Sequence, residues 1–178
     1  MLESHHVYII LGANQGNAME NFGVATKLLE QRIGPVIRKS GLYESEPWGM
    51  DVDDMFYNQV LCLLSRLHPM KMISALLDIE HEMGRVRRSG VVEPRSIDID
   101  ILFIDEMIIS EPGLEVPHPR FHLRRFALLP MVEIAPDLVH PIFDISVSTL
   151  LEKCKDPLHV IRMAEGNMQV NPSANEKV

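Results

Sequence analysis

The sequence predicts an α+β fold of the ferredoxin-like type: an antiparallel sheet with helices packed on one face, joined in places by mobile loops. Three observations carry this. Segments with strand and helix periodicity follow one another as strand, helix, strand, strand, helix, strand up to Ile104. The two long helical segments, Met19 to Arg32 and His68 to about Met83, place their apolar residues at helical spacing. The last strand alternates strictly, with Ile97, Ile99 and Ile101 on one face and Asp98 and Asp100 on the other.

Val7 to Leu11 is a short apolar run that reads as a buried strand. Gly12-Ala13-Asn14-Gln15-Gly16-Asn17 ends it as a loop. That loop lacks both the Gly-Lys-Ser/Thr ending of a P-loop and the Gly-x-Gly-x-x-Gly of a dinucleotide site. From Met19 to Arg32, Phe22, Ala25, Leu28, Leu29 and Ile33 recur at helical spacing, and Gly34-Pro35 breaks the pattern. Val36 to Glu44 reads as one strand. Ser45 to Met50 is turn chemistry around the single Trp of the chain, Trp48. Phe56 to Leu64 is strongly apolar and reads as a strand. His68-Pro69 opens a helix that runs to about Met83 and stops at Gly84.

Arg85 to Pro94 is basic, aperiodic and bounded by Gly and Pro, the profile of a long mobile loop. After the alternating strand come a short strand at Met107 to Ser110 and an extended turn at Val116-Pro117-His118-Pro119-Arg120. A helix follows from Arg124 to Glu133, stopped by Ile134-Ala135-Pro136-Asp137. Then come a short helix at Val147 to Lys155 and a last strand at Val160 to Met163. Residues 1–165 are expected to form one domain, and the polar stretch 166–178 a frayed tail.

Composition narrows the function. Apolar residues make up 46% and charged residues 24% of the 178 residues, an ordinary globular balance. The net charge of −8 disfavours a nucleic-acid binder relying on its overall field. Two cysteines, Cys62 and Cys154, make no disulfide framework and suit a reducing cytoplasm. No apolar run is long enough to span a bilayer, and the N-terminus lacks a signal-peptide pattern. The length leaves no room for fusion to a second enzyme, and a monomer is expected.

The chemistry concentrates around the alternating strand. Asp98 and Asp100 point the same way, about 7 Å apart along the chain. Two like charges at that spacing repel unless a cation lies over them. Hard oxygen ligands in this number suit Mg²⁺, which takes one or two carboxylates and leaves its other positions to water and phosphates. Arg85, Arg87, Arg88, Arg95, Arg120, Arg124 and Arg125 surround the pair, and no Lys occurs between Met72 and Glu152. Arginine alone offers the planar fork that grips a phosphate bidentately.

Six collinear pieces between Val7 and Leu151 carry a family resemblance. They are Leu11-Gly12-Ala13-Asn14 with Gly16-Asn17; Ser45-Glu46-Pro47-Trp48-Gly49; Phe56-Tyr57-Asn58; Glu80 with Gly84-Arg85-Val86-Arg87; Pro94 to Leu102; and Val116 to Arg120 with Arg124, Phe126 and Leu129-Pro130. Together they resemble the 6-hydroxymethyl-7,8-dihydropterin pyrophosphokinases of folate biosynthesis. The resemblance implies transfer of pyrophosphate from ATP to the dihydropterin, with AMP as the other product, and catalytic roles for the mobile loops. It implies that Asp98 and Asp100 hold two Mg²⁺ ions and that Arg85 and Arg95 act on the transferred group. It places Glu80, Arg87, Ile101, His118 and Arg124 with ATP. It places Ser45, Glu46, Trp48, Phe56, Asn58 and Phe126 around the pterin, the two phenylalanines as a sandwich.

Taken one at a time, these residues have plainer explanations. Phe56 and Phe126 also fit a core, His118 a surface turn, and Glu80 an exposed helix face. The stretch Val91-Val92-Glu93 departs from the family's usual loop, and Leu77 stands where a polar residue is sometimes found. A Mg²⁺-dependent phosphohydrolase could use the same two acids. A ferredoxin-like nucleic-acid binder would need a basic face and exposed sheet aromatics.

Overall fold

The apolar run near the N-terminus becomes the middle of a sheet. In the computed structural model, which describes residues 3–49, 54–84 and 96–164, β1 (His5–Ala13) lies between β4 (Phe56–Ser65) and β5 (Asp98–Ile104). Both pairings are antiparallel. Two short strands, β2 (Val36–Lys39) and β3 (Tyr43–Ser45), pair with successive parts of β4. The final strand, β10 (Val160–Arg162), adds to the outer side of β3. With α1 (Ala18–Arg32) after β1 and α2 (Pro69–Glu82) after β4, this is the ferredoxin-like arrangement.

Each helix forms for a local reason. Asn17 caps α1 by accepting from the Glu20 amide at 3.2 Å, and Phe22, Ala25 and Leu29 supply its buried stripe. Pro69 opens α2 at a position whose amide has no helical partner, and the His68 ring accepts from the Met70 amide. Both helices pack on the face of Val7, Ile9, Leu11, Leu61 and Leu63.

The expectation of helices on one face needs correcting for the whole chain. It holds for α1 and α2. The opposite face, with Tyr8, Ile10, Val60 and Cys62, is covered by α3 (Arg125–Ile134) and α4 (Val147–Lys153). The physical reason is in β1. Its consecutive residues Val7 to Leu11 are all buried, so neither side of the sheet can be left to water.

Three further details differ from the sequence-based expectation. The strand expected at Val36 to Glu44 is two strands. Ser40 donates its amide to the Val60 carbonyl and accepts the Val60 amide on Oγ, so a side chain replaces a backbone acceptor and the ladder is interrupted. The strand expected at Met107 to Ser110 is β6 (Ile109–Glu111), and its partner is β7 (Leu114–Val116), at the head of the expected turn. Pro112-Gly113, with Gly113 at φ 85°, forms the tight connection. A small hairpin, β8 (Val139–His140) with β9 (Ile145–Ser146), precedes α4. The expected loop at Arg85 to Pro94 and the tail at 166–178 lie outside the described residues. Among the described residues no helix is long and apolar enough to cross a membrane.

Strand β5 carries a register shift opposite Tyr8 and Ile9. Leu102 and Phe103 therefore both turn to the α3 side, while Ile101 and Ile104 face α1 and α2. Phe103 packs edge-on against Phe121 at 5.0 Å and His140 at 5.4 Å between ring centroids. On the other side, Glu80 of α2 is 2% exposed, and its Oε1 accepts the Ile99 amide at 2.8 Å. A side-chain acceptor thus fixes the backbone between Asp98 and Asp100.

Removing that acceptor leaves a buried amide. Glu80→Ala is expected to lower stability by about 1–3 kcal/mol. Glu80→Gln keeps an oxygen for Ile99 and should fall between Glu80→Ala and the unaltered protein in a urea titration. Gly34→Ala should cost about 1–3 kcal/mol from backbone strain at φ 151°, and its new Cβ would overlap the Leu64 carbonyl. Gly23→Ala, in the open on α1, should instead gain about 0.5–1 kcal/mol in the same titration.

Candidate active site

The register of the central strands builds the floor of the site. Asn58 on β4 and Asp98 on β5 are both cross-strand partners of one residue, Gly12. Asp100 pairs with Ile10. All lie on the sheet face turned toward α3. A Cβ on Gly12 would stand 3.6 Å from Asn58 Oδ1 and 3.8 Å from Asp98 Cβ, so any larger side chain would project into the space above them.

That space is a cavity of about 390 Å³. Ser45, Glu46, Trp48, Phe56, Asn58, Asp98, Asp100, His118, Arg124 and Phe126 all line it. Strand β3 and the loop after it supply Ser45, Glu46 and Trp48. The start of β4 supplies Phe56 and Asn58, and the start of α3 supplies Phe126. Asn58 is 3% exposed and donates from Nδ2 to Ser45 Oγ at 3.0 Å, which fixes the orientation of its amide. Phe56 and Phe126 are half-buried and line the cavity, and Phe126 also packs against the core cluster under α3.

A second cavity, of about 590 Å³, opens beside the first. Its walls are Ile73, Ile101 and the β6–β7 hairpin from Ser110 to Glu115. Asp100 and His118 line both cavities, so Asp100 sits where the two meet and Asp98 lies on the side of the first. Asp98 and Asp100 are half-buried with their side chains on one face. Among the described residues no cluster of three or more His, Cys, Asp or Glu side chains could hold a metal ion. A two-carboxylate site fits Mg²⁺, which leaves most of its positions to water and phosphate, and fits poorly to metals that need a protein cage.

His118 is no surface-turn residue. Its Nδ1 accepts from the Arg120 amide at 3.1 Å, and Nε2 lies 3.5 Å from an Arg124 guanidinium nitrogen. Burial, then the nearby charges of Arg124 and Arg120, push its pKa down to about 4. The ring is therefore neutral at pH 7. Arg124 itself lies against two aromatic faces, 4.8 Å from the Trp48 centroid and 5.6 Å from that of Phe126.

Of the other residues singled out from the sequence, Ile101 lines the second cavity, and Arg124 lines the first rather than the second. Glu80 lines neither: it is buried beneath β5, so the exposed-face explanation fails too. Arg85, Arg87 and Arg95 lie outside the described residues. Sequence reasoning gave Gly12 and Arg120 no role beyond their motifs and passed over the β6–β7 hairpin. A glycine ending an apolar strand signals close approach to its surface. Pro112-Gly113 was the available sign of the hairpin.

Comparison with known proteins follows the same line. The family model for 7,8-dihydro-6-hydroxymethylpterin-pyrophosphokinase (HPPK) matches residues 8–136. The 2-amino-4-hydroxy-6-hydroxymethyldihydropteridine pyrophosphokinase of Porphyromonas gingivalis is 38% identical over 138 residues, 76% of this chain and 93% of that one. The protein of the same name from Aquifex aeolicus is 36% identical over 137 residues, 77% of this chain and 84% of that one. A folic acid synthesis protein of Pneumocystis carinii is 38% identical over 157 residues, 87% of this chain, which spans only 21% of that relative's length. Among solved structures, Plasmodium falciparum HPPK-DHPS with pteroate superposes with a TM-score of 0.72 at 17% identity, over 85% of this chain and 44% of that one, a likeness of fold. The chain belongs to the 7,8-dihydro-6-hydroxymethylpterin-pyrophosphokinase family.

Proposed function

We propose that the smaller cavity holds the dihydropterin, the larger one holds ATP, and Asp98 and Asp100 act at their junction. One observation carries the assignment: Asp100 and His118 line both cavities. Two substrates held there would bring their reacting ends together over the acid pair. The reaction is the one the family catalyses, transfer of pyrophosphate from ATP to 6-hydroxymethyl-7,8-dihydropterin in folate synthesis. The hydroxymethyl oxygen bonds to the β-phosphorus, the bond from that phosphorus to the bridging oxygen of the α-phosphate breaks, and AMP leaves.

Such a transfer asks the protein mainly for positioning and charge compensation. Asn58 and Ser45 offer hydrogen bonds to the edge of a flat ring, and Phe56 and Phe126 offer faces to stack on. His118, neutral at pH 7, has Nδ1 against the Arg120 amide and Nε2 facing the Arg124 guanidinium, so it lines the junction without adding a charge. Asp98 and Asp100 would hold Mg²⁺, two ions in this assignment. Bound there, it would supply positive charge to the phosphates and favour ionisation of the attacking hydroxyl. Arg85, Arg87 and Arg95 are assigned to the phosphates on resemblance alone, and Glu80 is assigned to holding β5 rather than touching ATP. Residues 1–165 are taken as one catalytic domain that works as a monomer in the cytoplasm.

The product pattern tests this. AMP should appear only when ATP, Mg²⁺ and the dihydropterin are all present. Inorganic phosphate released from ATP without pterin would favour a phosphohydrolase instead. Asp98→Asn and Asp100→Asn should each lower turnover by about two orders of magnitude. The melting temperature, read alongside, separates loss of the site from loss of the fold. Normal Mg²⁺-dependent turnover in either variant would remove the metal assignment.

A further inference from the structure

The two walls of the smaller cavity belong to different elements. Phe126 comes from the start of α3, while Ser45 and Asn58 come from β3 and β4. Something must fix α3 against β3, and a polar node near the far end of α3 does so. Glu133 accepts from the Gly41 amide at 3.0 Å, from the Tyr43 hydroxyl at 2.8 Å, and from Arg162 through Nε at 3.3 Å and Nη2 at 3.1 Å. Tyr43 is the cross-strand partner of Asn58. Strand β10 pairs with the whole of β3, Val160 opposite Ser45, Ile161 opposite Glu44 and Arg162 opposite Tyr43. Just before β10, the His159 amide donates to Glu46 Oε2 at 2.9 Å, and the Glu46 amide donates to the His159 carbonyl. The last described segment of the chain, beyond the family-matched residues 8–136, therefore grips the loop that carries Glu46.

We infer that Arg162, seated on β10, is a positioning residue for the pterin half-site, setting the spacing between the Phe126 wall and the Ser45–Asn58 floor. This rests on the assignment of the smaller cavity to the pterin. The fork of Arg162 engages both oxygens of Glu133, so it fixes orientation as well as distance. Gly41 is part of the device. A Cβ there would come within 2.8–2.9 Å of three atoms of the Arg162 guanidinium. Those atoms end a flexible side chain, so an added methyl would displace the guanidinium and spare the backbone. Ser45 and Asn58, 1% and 3% exposed, have no slack of their own with which to absorb a shift of β3.

The test compares Arg162→Ala, Arg162→Lys and Gly41→Ala with Phe126→Ala in the full chain. It measures kcat and the KM of each substrate, with melting temperature alongside. Arg162→Ala and Gly41→Ala should both raise the KM for the dihydropterin about three- to tenfold. The KM for ATP should stay within about twofold, and Arg162→Lys, which keeps the charge without the fork, should fall between. Gly41→Ala removes no charge, so agreement between it and Arg162→Ala marks geometry as the cause. Unchanged pterin KM in both variants, or an equal rise for ATP, overturns the inference while Phe126→Ala still raises the pterin KM. If Phe126→Ala also leaves the pterin KM unchanged, the cavity assignment itself fails, and the inference with it.

Discussion

Every feature of the site depends on the antiparallel register of β5 and β4 against β1. Side chains alternate across a strand, so a slip of one residue would turn Asp98 and Asp100 into the α1–α2 core and bring Ile99 to the cavity. Ile99 and Ile101 are 2% and 5% exposed, which locks the strand the right way round. Glu80 adds a direct restraint by taking the Ile99 amide from below. Hydrophobic burial on one face thus sets the acid pair on the other.

The same strands explain why two cavities share one boundary. Beyond the covered part of the sheet, α3 approaches β3 and β4 on one side, and the β6–β7 hairpin stands beside β5 on the other. The space on either side of Asp100 is what remains between them. Gly12 keeps the floor low between Asn58 and Asp98, and His118 closes the boundary as a neutral ring. A protonated imidazole beside Arg124 and Arg120 would add a third positive charge, and burial together with those two arginines disfavours it.

Much of this was legible in the sequence because it rests on local periodicity. The alternation from Ile97 to Ile101, the stripe of α1 and the Pro69 and Gly84 boundaries of α2 each state their own structure. The residues of the smaller cavity were legible only jointly, through six collinear motifs, since a lone Phe or Asn has no periodic signature. What escaped depends on tertiary partners. The break between β2 and β3 comes from the Ser40 hydroxyl standing in for a backbone acceptor, which no pattern reveals. The role of Glu80 depends on its proximity to Ile99, nineteen positions on. The cover on both faces was implied by the unbroken apolar run Val7 to Leu11, yet the pattern does not say which helices supply it. The Glu133–Arg162 node joins residues 29 positions apart through exposed polar groups, where sequence patterning is silent.

The central claim is that Asp98 and Asp100 form a shared divalent-cation site at the junction of a nucleotide cavity and a pterin cavity. Calorimetric titration of a non-hydrolysable ATP analogue over a range of Mg²⁺ concentrations, on the unaltered protein and on Asp100→Asn, tests it most directly. The unaltered protein should bind the analogue more tightly as Mg²⁺ rises. Asp100→Asn should lose most of that dependence while still binding the dihydropterin. The same Mg²⁺ dependence in both proteins would contradict the claim.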